Sequence, residues 1–304
     1  MIVSTSLQRD VDRPLALAIG FFDGMHRGHL EIARQTRRFR RPGWRCGVLT
    51  FANHPAAFLR PGTEPPLLCT PEERLRSFDQ AGFEECFLVP FDASMASLEP
   101  ERFMEEVLIE RLGVRAVVTG ATFVFGHKRA GDATTMAAYL RGRDVAYAPV
   151  ETVTDGGERI SSTHIRSLIA AGEIDRADHL LGHAYELRGT IERGAGRGHG
   201  LGFPTANLRP PEKLLPRDGV YSAVGRIDGR DYAALVSIGT NPQFAGRERT
   251  IEAWLRDFHA TIYGCELALR DLHFVRDQRT FESIDQLIEQ MKEDVNAVAY
   301  PPFG

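Results

Sequence analysis

Two histidines three residues apart, His26 and His29, close the stretch GFFDGMHRGH (20–29), which also carries Asp23 and the glycines Gly20, Gly24 and Gly28. If a helix starts there, residues three apart share a face, and its unpaired N–H groups attract anions. With Gly28 allowing close approach, the stretch reads as a phosphate cradle. HxxH alone is equally the pattern of surface or capping histidines. Far downstream, ISSTHIRSLI (160–169) sets Ser161, Ser162 and Thr163 before a helix, with Arg166 in its first turn. Hydroxyls, helix N–H groups and a guanidinium make a second oxyanion-binding device, although a plain Ser/Thr N-cap uses the same letters. A third stretch, GAGRGHGLGFPTANL (194–208), is dense in glycine, including Gly196, Gly198 and Gly202. It does not fit GxGxxG, because His199 occupies the last glycine position. One reading is an arch whose N–H groups wrap a phosphate while Thr205 and Asn207 offer oxygens to a hard cation. The other is a flexible hairpin before a proline turn.

These residues need elements to hold them. To about residue 183, short apolar runs (LALAIGFF, RCGVLTF, CFLVPF, RAVVTG, VAYAPV) alternate with amphipathic helical patterns (HLEIARQTRRF, PEERLRSFDQAG, PERFMEEVLIERLG). The alternation predicts an α/β domain whose parallel, Rossmann-like sheet is covered on both faces, and ligands of such sheets bind at the carboxyl ends of the strands. Gly20–His29 follows the first of them. Two more helices, STHIRSLIAAG and EIDRADHLLGH, end this half. After His183 the runs YELRGTIERG, GVYSAVGRIDG, RDYAALVSIG, TIEAWLRDF and CELALRDLHFVRD are short, partly alternating strands, predicting a small antiparallel β-barrel. An amphipathic helix with Ser283 as N-cap closes the chain. The domains are thus 1–183 and 184–304, with no Gly/Ser linker between them.

Composition limits the partners. The 304 residues suffice for two ordinary domains. No apolar run reaches the roughly 20 residues of a bilayer span, and no basic-then-apolar leader is visible, so a cytoplasmic protein with no membrane partner is expected. A formal charge of −4 gives no general attraction to nucleic acid. Cys46, Cys69, Cys86 and Cys265 form no CxxC pair, which points to reduced thiols and away from structural zinc. Lysine occurs only as Lys128, Lys213 and Lys292, and no P-loop is present.

GFFDGMHRGH and ISSTHIR together resemble the paired HxGH and SSTxIR signatures of nucleotidyltransferases. With LRPG (59–62), ASLEPERFMEEVL (96–108) and FGHKRAGD (125–132), the first half resembles the adenylyltransferase of bacterial bifunctional riboflavin kinase/FAD synthetases. GRGHGLGFPTANL, DGVYSAVGRIDG, LVSIGTNPQF and TIEAWLRDFHATIYG resemble the successive motifs of riboflavin kinases. The resemblance implies a nucleotidyltransferase domain and a six-stranded kinase barrel with a C-terminal helix. It implies phosphorylation of riboflavin to FMN by ATP, then transfer of AMP from ATP to FMN, giving FAD and pyrophosphate. ATP is co-substrate to both and Mg2+ the implied cofactor.

The resemblance also implies roles. His26 and His29 meet the ATP phosphates; Ser161, Ser162, Thr163 and Arg166 meet the departing pyrophosphate. Gly20, Phe22, Asp23, Gly24 and Gly28 shape the nucleotide loop, and Gly196, Gly198 and Gly202 the kinase arch. Asn53, Phe123, Phe125, Arg129, Asp132 and Arg276 are implied in flavin binding, Thr205 and Asn207 in holding Mg2+, and Glu252 as the kinase's general base. The chain departs from the family at Phe21, at Ala52 and Asn53, at Thr122 and Val124, at His164 and at Trp254. Two alternatives stand beside this reading: a riboflavin kinase whose first half is degenerate or altered in substrate, and a non-catalytic flavin or nucleotide sensor.

Overall fold

The computed structural model describes residues 1–9, 11, 13–193, 204–240, 249–258, 260, 262–281 and 283–297. The chain divides into two units, Met1–Ser162 and Thr163–Gly304. The first runs through β1 (Ile2–Ser4), β2 (Leu15–Ile19), α1 (Arg27–Arg38), β3 (Arg45–Phe51), α2 (Pro55–Leu59), α3 (Pro71–Gln80) and β4 (Glu85–Val89). It continues through α4 (Ala93–Ala96), α5 (Pro100–Arg102), a π-helix (Phe103–Arg111), β5 (Val114–Gly120), β6 (Val124–Phe125), β7 (Gly131–Asp132), α6 (Ala133–Leu140), β8 (Ala146–Val150), β9 (Thr154–Asp155) and β10 (Glu158–Arg159).

Six of these strands form one parallel sheet in the order β1-β4-β3-β2-β5-β8. The chain steps outward from β2 through β3 to β4, then returns to lay β5 on the other side of β2. That reversal opens a crevice at the carboxyl ends of β2 and β5. All five residues of β2 are buried because both faces are covered. Leu15, Leu17 and Ile19 point into a core with Phe103, Met104 and Leu108, while Ala16 and Ala18 point into the other with Ile32 and Ala33 of α1. The small side chains let α1 lie close behind the strand that carries the loop to its N-terminus.

The segment 100–113 carries the periodicity of one α-helix, but its main part winds as a nine-residue π-helix. Leu112 N accordingly donates to Val107 O, five residues back, at 3.1 Å. Its buried side chains Phe103, Met104, Val107 and Leu108 form the floor of one core layer. All four cysteines are free thiols.

The second unit begins with α7 (Ser162–Ala171, whose first residue ends the first unit) and α8 (Ile174–Leu181), which stops where Gly182 turns left-handed at φ +80. There follow β11 (Leu187–Glu192), β12 (Thr205–Leu208), β13 (Gly219–Ile227), β14 (Arg230–Thr240), β15 (Arg249–Leu255), β16 (Glu266–Arg276) and α9 (Ile284–Ala297). The strands close an antiparallel barrel in the order β11-β12-β15-β14-β13-β16, so both the parallel sheet and the barrel expected from the sequence are present. Closure demands a close approach at Gly189, where a Cβ would lie 2.3 Å from the carbonyl oxygen of Arg209. The C-terminal helix is fastened by a buried fork: Arg276 Nε and Nη2 reach Asp294 Oδ1 and Oδ2 at 2.9 and 2.6 Å. Among the described residues no helix is long and apolar enough to cross a membrane.

Candidate active sites

The loop from β2 to α1 is shaped by strained backbone. Phe22 and Met25 adopt φ +57 and +40, and Gly24 φ +83, conformations costly for ordinary side chains and kept where surroundings enforce them. The enforcement is visible. Phe22 is buried with its ring edge-on to Phe78 and directly over Gly20, where a Cβ would come within 2.9 Å of it. The Phe21 carbonyl accepts from Thr50 Oγ1 at 3.1 Å and from Arg74 Nη1 at 3.3 Å.

Asp23 is buried and serves as an anchor. Its carboxylate accepts from Leu68 N at 2.9 Å and Cys69 N at 3.3 Å, and its carbonyl accepts from Ser162 Oγ at 3.0 Å. Thus the HxGH loop and the serines of the second signature, distant in sequence, are fastened at one residue. Burial, and then the Asp23 charge, push the Cys69 thiol up to about 12. It stays protonated at neutral pH and donates to Asp23 Oδ1.

His26 is the N-cap of α1: its Nδ1 accepts from His29 N at 3.3 Å. A neutral ring that accepts at Nδ1 carries its proton on Nε2, so His26 presents a donor. The His29 ring stacks on it, centroids 3.6 Å apart, with Phe22 edge-on at 5.2 Å. Burial, reinforced by the neighbouring His26, holds His29 well below the ordinary imidazole value. Its Nδ1 is enclosed and has no hydrogen-bond partner among the described residues. An enclosed polar atom without a partner is costly, and one at the head of a helix, at the positive end of its dipole, fits an arriving phosphate oxygen. Gly28 lies under this pair, where a Cβ would come within 3.1 Å of the His26 ring.

Around the same sheet end, Asn53 exchanges two hydrogen bonds with the backbone of Phe91, 2.8 and 3.0 Å, tying the loops after β3 and β4. Phe123 and Phe125 stack with centroids 5.6 Å apart, in the segment after β5. Arg129 lies in a single 3-10 turn at φ +62. Asp132 caps α6, accepting from Thr135 N at 2.8 Å, which lowers its carboxyl below the usual range. Thr163 and Arg166 follow Ser162 on α7.

Arg74 was not visible as a site residue. Its place in an amphipathic helix reads as solvent-facing, yet it is 3% exposed. Besides Phe21 it donates to Phe51 O at 2.8 Å, its guanidinium lies 4.4 Å over the Phe21 ring, and burial draws its pKa down. It joins the ends of β2 and β3 beneath the crevice.

On the barrel, register assembles the second site. Ala206 and Leu208 of β12, and Ile251, Ala253 and Leu255 of β15, are buried inside, so Thr205, Asn207, Glu252 and Trp254 share the outer, half-buried face. Asn207 is directly opposite Glu252, and Thr205 opposite Trp254. Ser237 of β14 flanks Glu252 on its other side and accepts from Gln278 Nε2 at 3.3 Å. Gln278, beyond the end of β16, carries no sequence signal of its own and is brought in by its bond to Ser237. Arg276 is engaged with Asp294 as described above. Gly196, Gly198 and Gly202 lie outside the described residues. No group of three or more His, Cys, Asp or Glu is arranged to hold a metal among the described residues. Hydroxyl and amide oxygens facing a carboxylate are nevertheless donors of the kind a hard cation takes.

A doubly wound domain with a phosphate-ready helix start, followed by a closed barrel with an acid in register with hard-oxygen donors, is the architecture of an ATP-using two-domain transferase. Comparison with known proteins narrows this. Residues 8–164 match the FAD synthetase family model and residues 181–300 the riboflavin kinase model. The bifunctional riboflavin kinase/FMN adenylyltransferase of Listeria monocytogenes is 34% identical over 96% of this chain and 93% of its own length. That of Bacillus subtilis is 32% identical over 91% and 89%. A crystal structure from Streptococcus pneumoniae, described as a macrolide-efflux protein, superposes with a TM-score of 0.87 at 31% identity, covering 97% of both chains. The chain belongs to the family of bifunctional riboflavin kinase/FMN adenylyltransferases, and both of that family's domains are present in it.

Proposed function

We propose that the two reactions, riboflavin with ATP to FMN and FMN with ATP to FAD and pyrophosphate, run on the residues assigned here, in a cytoplasmic enzyme whose halves are 1–183 and 184–304. The observation that carries the kinase assignment is the register of Glu252 with Asn207, one alternation along from Thr205. A ribityl hydroxyl is neutral and must lose its proton as it attacks the γ-phosphorus. Glu252 takes that proton. Thr205 and Asn207 would hold Mg2+, which when bound offsets phosphate charge.

Adenylyl transfer needs no such base, because the FMN phosphate is already ionised. What it needs is alignment and neutralised charge. His26, donating from Nε2, and His29, with its enclosed Nδ1, serve the ATP phosphates together with the N–H groups of α1. Ser161, Ser162, Thr163 and Arg166 serve the departing pyrophosphate, and Asp23 holds the two signatures together. Phe123 and Phe125 are surfaces for the flavin ring, and Asn53, Arg129 and Asp132 are further flavin-binding residues. Arg276 is the flavin-binding residue of the second half.

The test is incubation of the full chain with riboflavin, ATP and Mg2+, products being separated by chromatography. Both FMN and FAD are expected. FMN alone, even with FMN and ATP supplied in excess, would mean a degenerate first half. A Glu252→Gln chain forming FMN at the unaltered rate would remove Glu252 from the role of base.

A further inference from the structure

The β9–β10 hairpin has no role in these assignments, yet it is fastened on both sides of the first unit's crevice. Its turn, Gly156–Gly157, has φ +56 and +88 in succession, the pair of left-handed positions that a tight two-residue hairpin requires. From β9, Asp155 Oδ1 accepts from Arg27 Nη1 at 2.8 Å. Arg27 is the first residue of α1 and stands between the two histidines. From β10, Arg159 Nη2 donates to Thr122 Oγ1 at 3.1 Å, in the segment leading from β5 into Phe123 and Phe125. β2 and β5 are parallel neighbours, so the hairpin reaches from the phosphate loop to the aromatic loop.

The two arginines differ in what balances them. Arg27 faces a carboxylate. Arg159 is exposed and touches a neutral hydroxyl, and no carboxylate pairs with it among the described residues. Its partner in register is Thr154, and the adjacent Glu158 points to the opposite face of the strand. A guanidinium oriented by a hydroxyl, without being neutralised, keeps donors free for an anion.

Adenylyl transfer brings two anions into contact. An oxygen of the acceptor phosphate attacks the α-phosphorus, the bond to the β-phosphate oxygen breaks, and pyrophosphate leaves with the electron pair. Repulsion between triphosphate and monophosphate opposes that approach. The histidines and the α1 N-terminus serve the triphosphate, so the acceptor requires a cation of its own, on the side of the aromatic loop. We propose that Arg159 binds the phosphate of the flavin acceptor and thereby selects phosphorylated over unphosphorylated flavin. This rests on the assignment of the crevice to adenylyl transfer.

The test uses the full chain and measures FAD formation with FMN and ATP varied separately, for the parent, Arg159→Ala and Arg159→Lys. For Arg159→Ala the KM for FMN should rise about tenfold, the loss of a charge-assisted contact, with the KM for ATP changed less than about twofold. FMN formation from riboflavin in the same preparation should not change, and Arg159→Lys should recover part of the loss. An unchanged KM for FMN overturns the inference. So does an equal rise in both KM values, the mark of a loosened hairpin. If the parent forms no FAD from FMN and ATP, the crevice assignment falls and this inference with it; if the parent does and Arg159→Ala matches it, this inference alone falls.

Discussion

At the head of α1 two imidazoles lie face to face, one fixed as a hydrogen-bond acceptor by a backbone N–H, the other enclosed with a bare nitrogen. Such a pair is poorly suited to surface solvation and well suited to a ligand that completes it. Replacing His29 by Ala should abolish FAD formation, while FMN formation in the same preparation stays within about twofold, since the kinase residues are on other elements. Equal loss of both activities, measured side by side, would contradict separate sites. The histidines, the serines and Glu252 were legible as residue types at telling spacings. Arg74 was not, because a charge in an amphipathic helix is written in the same letters whether it meets water or the carbonyls of two strand ends.

Among the elements, the Arg276–Asp294 fork between β16 and α9 is the one most open to test. Asp294 is 3% exposed and Arg276 partly buried, so Asp294→Asn leaves a largely enclosed guanidinium without its charge partner, a loss of about 2 kcal/mol. Urea unfolding followed by far-UV circular dichroism should show it, and a paired Arg276→Met, Asp294→Leu chain should recover most of it. A single variant as stable as the parent would mean that α9 is held by something else. The central strands could be read from the sequence, since β2, β3 and β5 bury nearly the whole of the apolar runs that mark them. Three features could not. The π-helix has the same apolar content as an α-helix and differs only in winding. The β6–β7 and β9–β10 pairs are two residues per strand, too short for any period. The pairing of Asn207 with Glu252 is set by barrel closure across 45 residues, and nothing local to either strand encodes it.

Across the whole molecule, the two units respond to acid in opposite senses. Burial, then His26, depresses His29 below its ordinary 6.5. As pH falls below that value the unfolded chain binds the proton first, so the first unit loses stability. In the second unit burial raises Asp178 from 3.8 to about 6, against the pull of the Tyr185 N–H that it accepts. There the native state binds the proton first, so a penalty present above about 6 is relieved as pH falls through that value. Between about pH 7.5 and about pH 5.5 the urea midpoint for FAD-forming activity should fall relative to that for FMN-forming activity. Asp178→Asn should stabilise the second unit by about 1 kcal/mol at neutral pH, discounted for its partial exposure, and flatten its slope; parallel midpoints would show that other groups govern both.

The fastening at Asp23 has a consequence in time. Its loop is among the first parts of the chain to be synthesised, but the Ser162 hydroxyl that donates to its carbonyl lies 139 residues later. At elongation rates of about 5–20 residues per second that is a wait of about seven to thirty seconds. The nucleotide loop leaves the ribosome with the moorings at Leu68 and Cys69 soon at hand, and gains that of Ser162 only when the first unit has been completed.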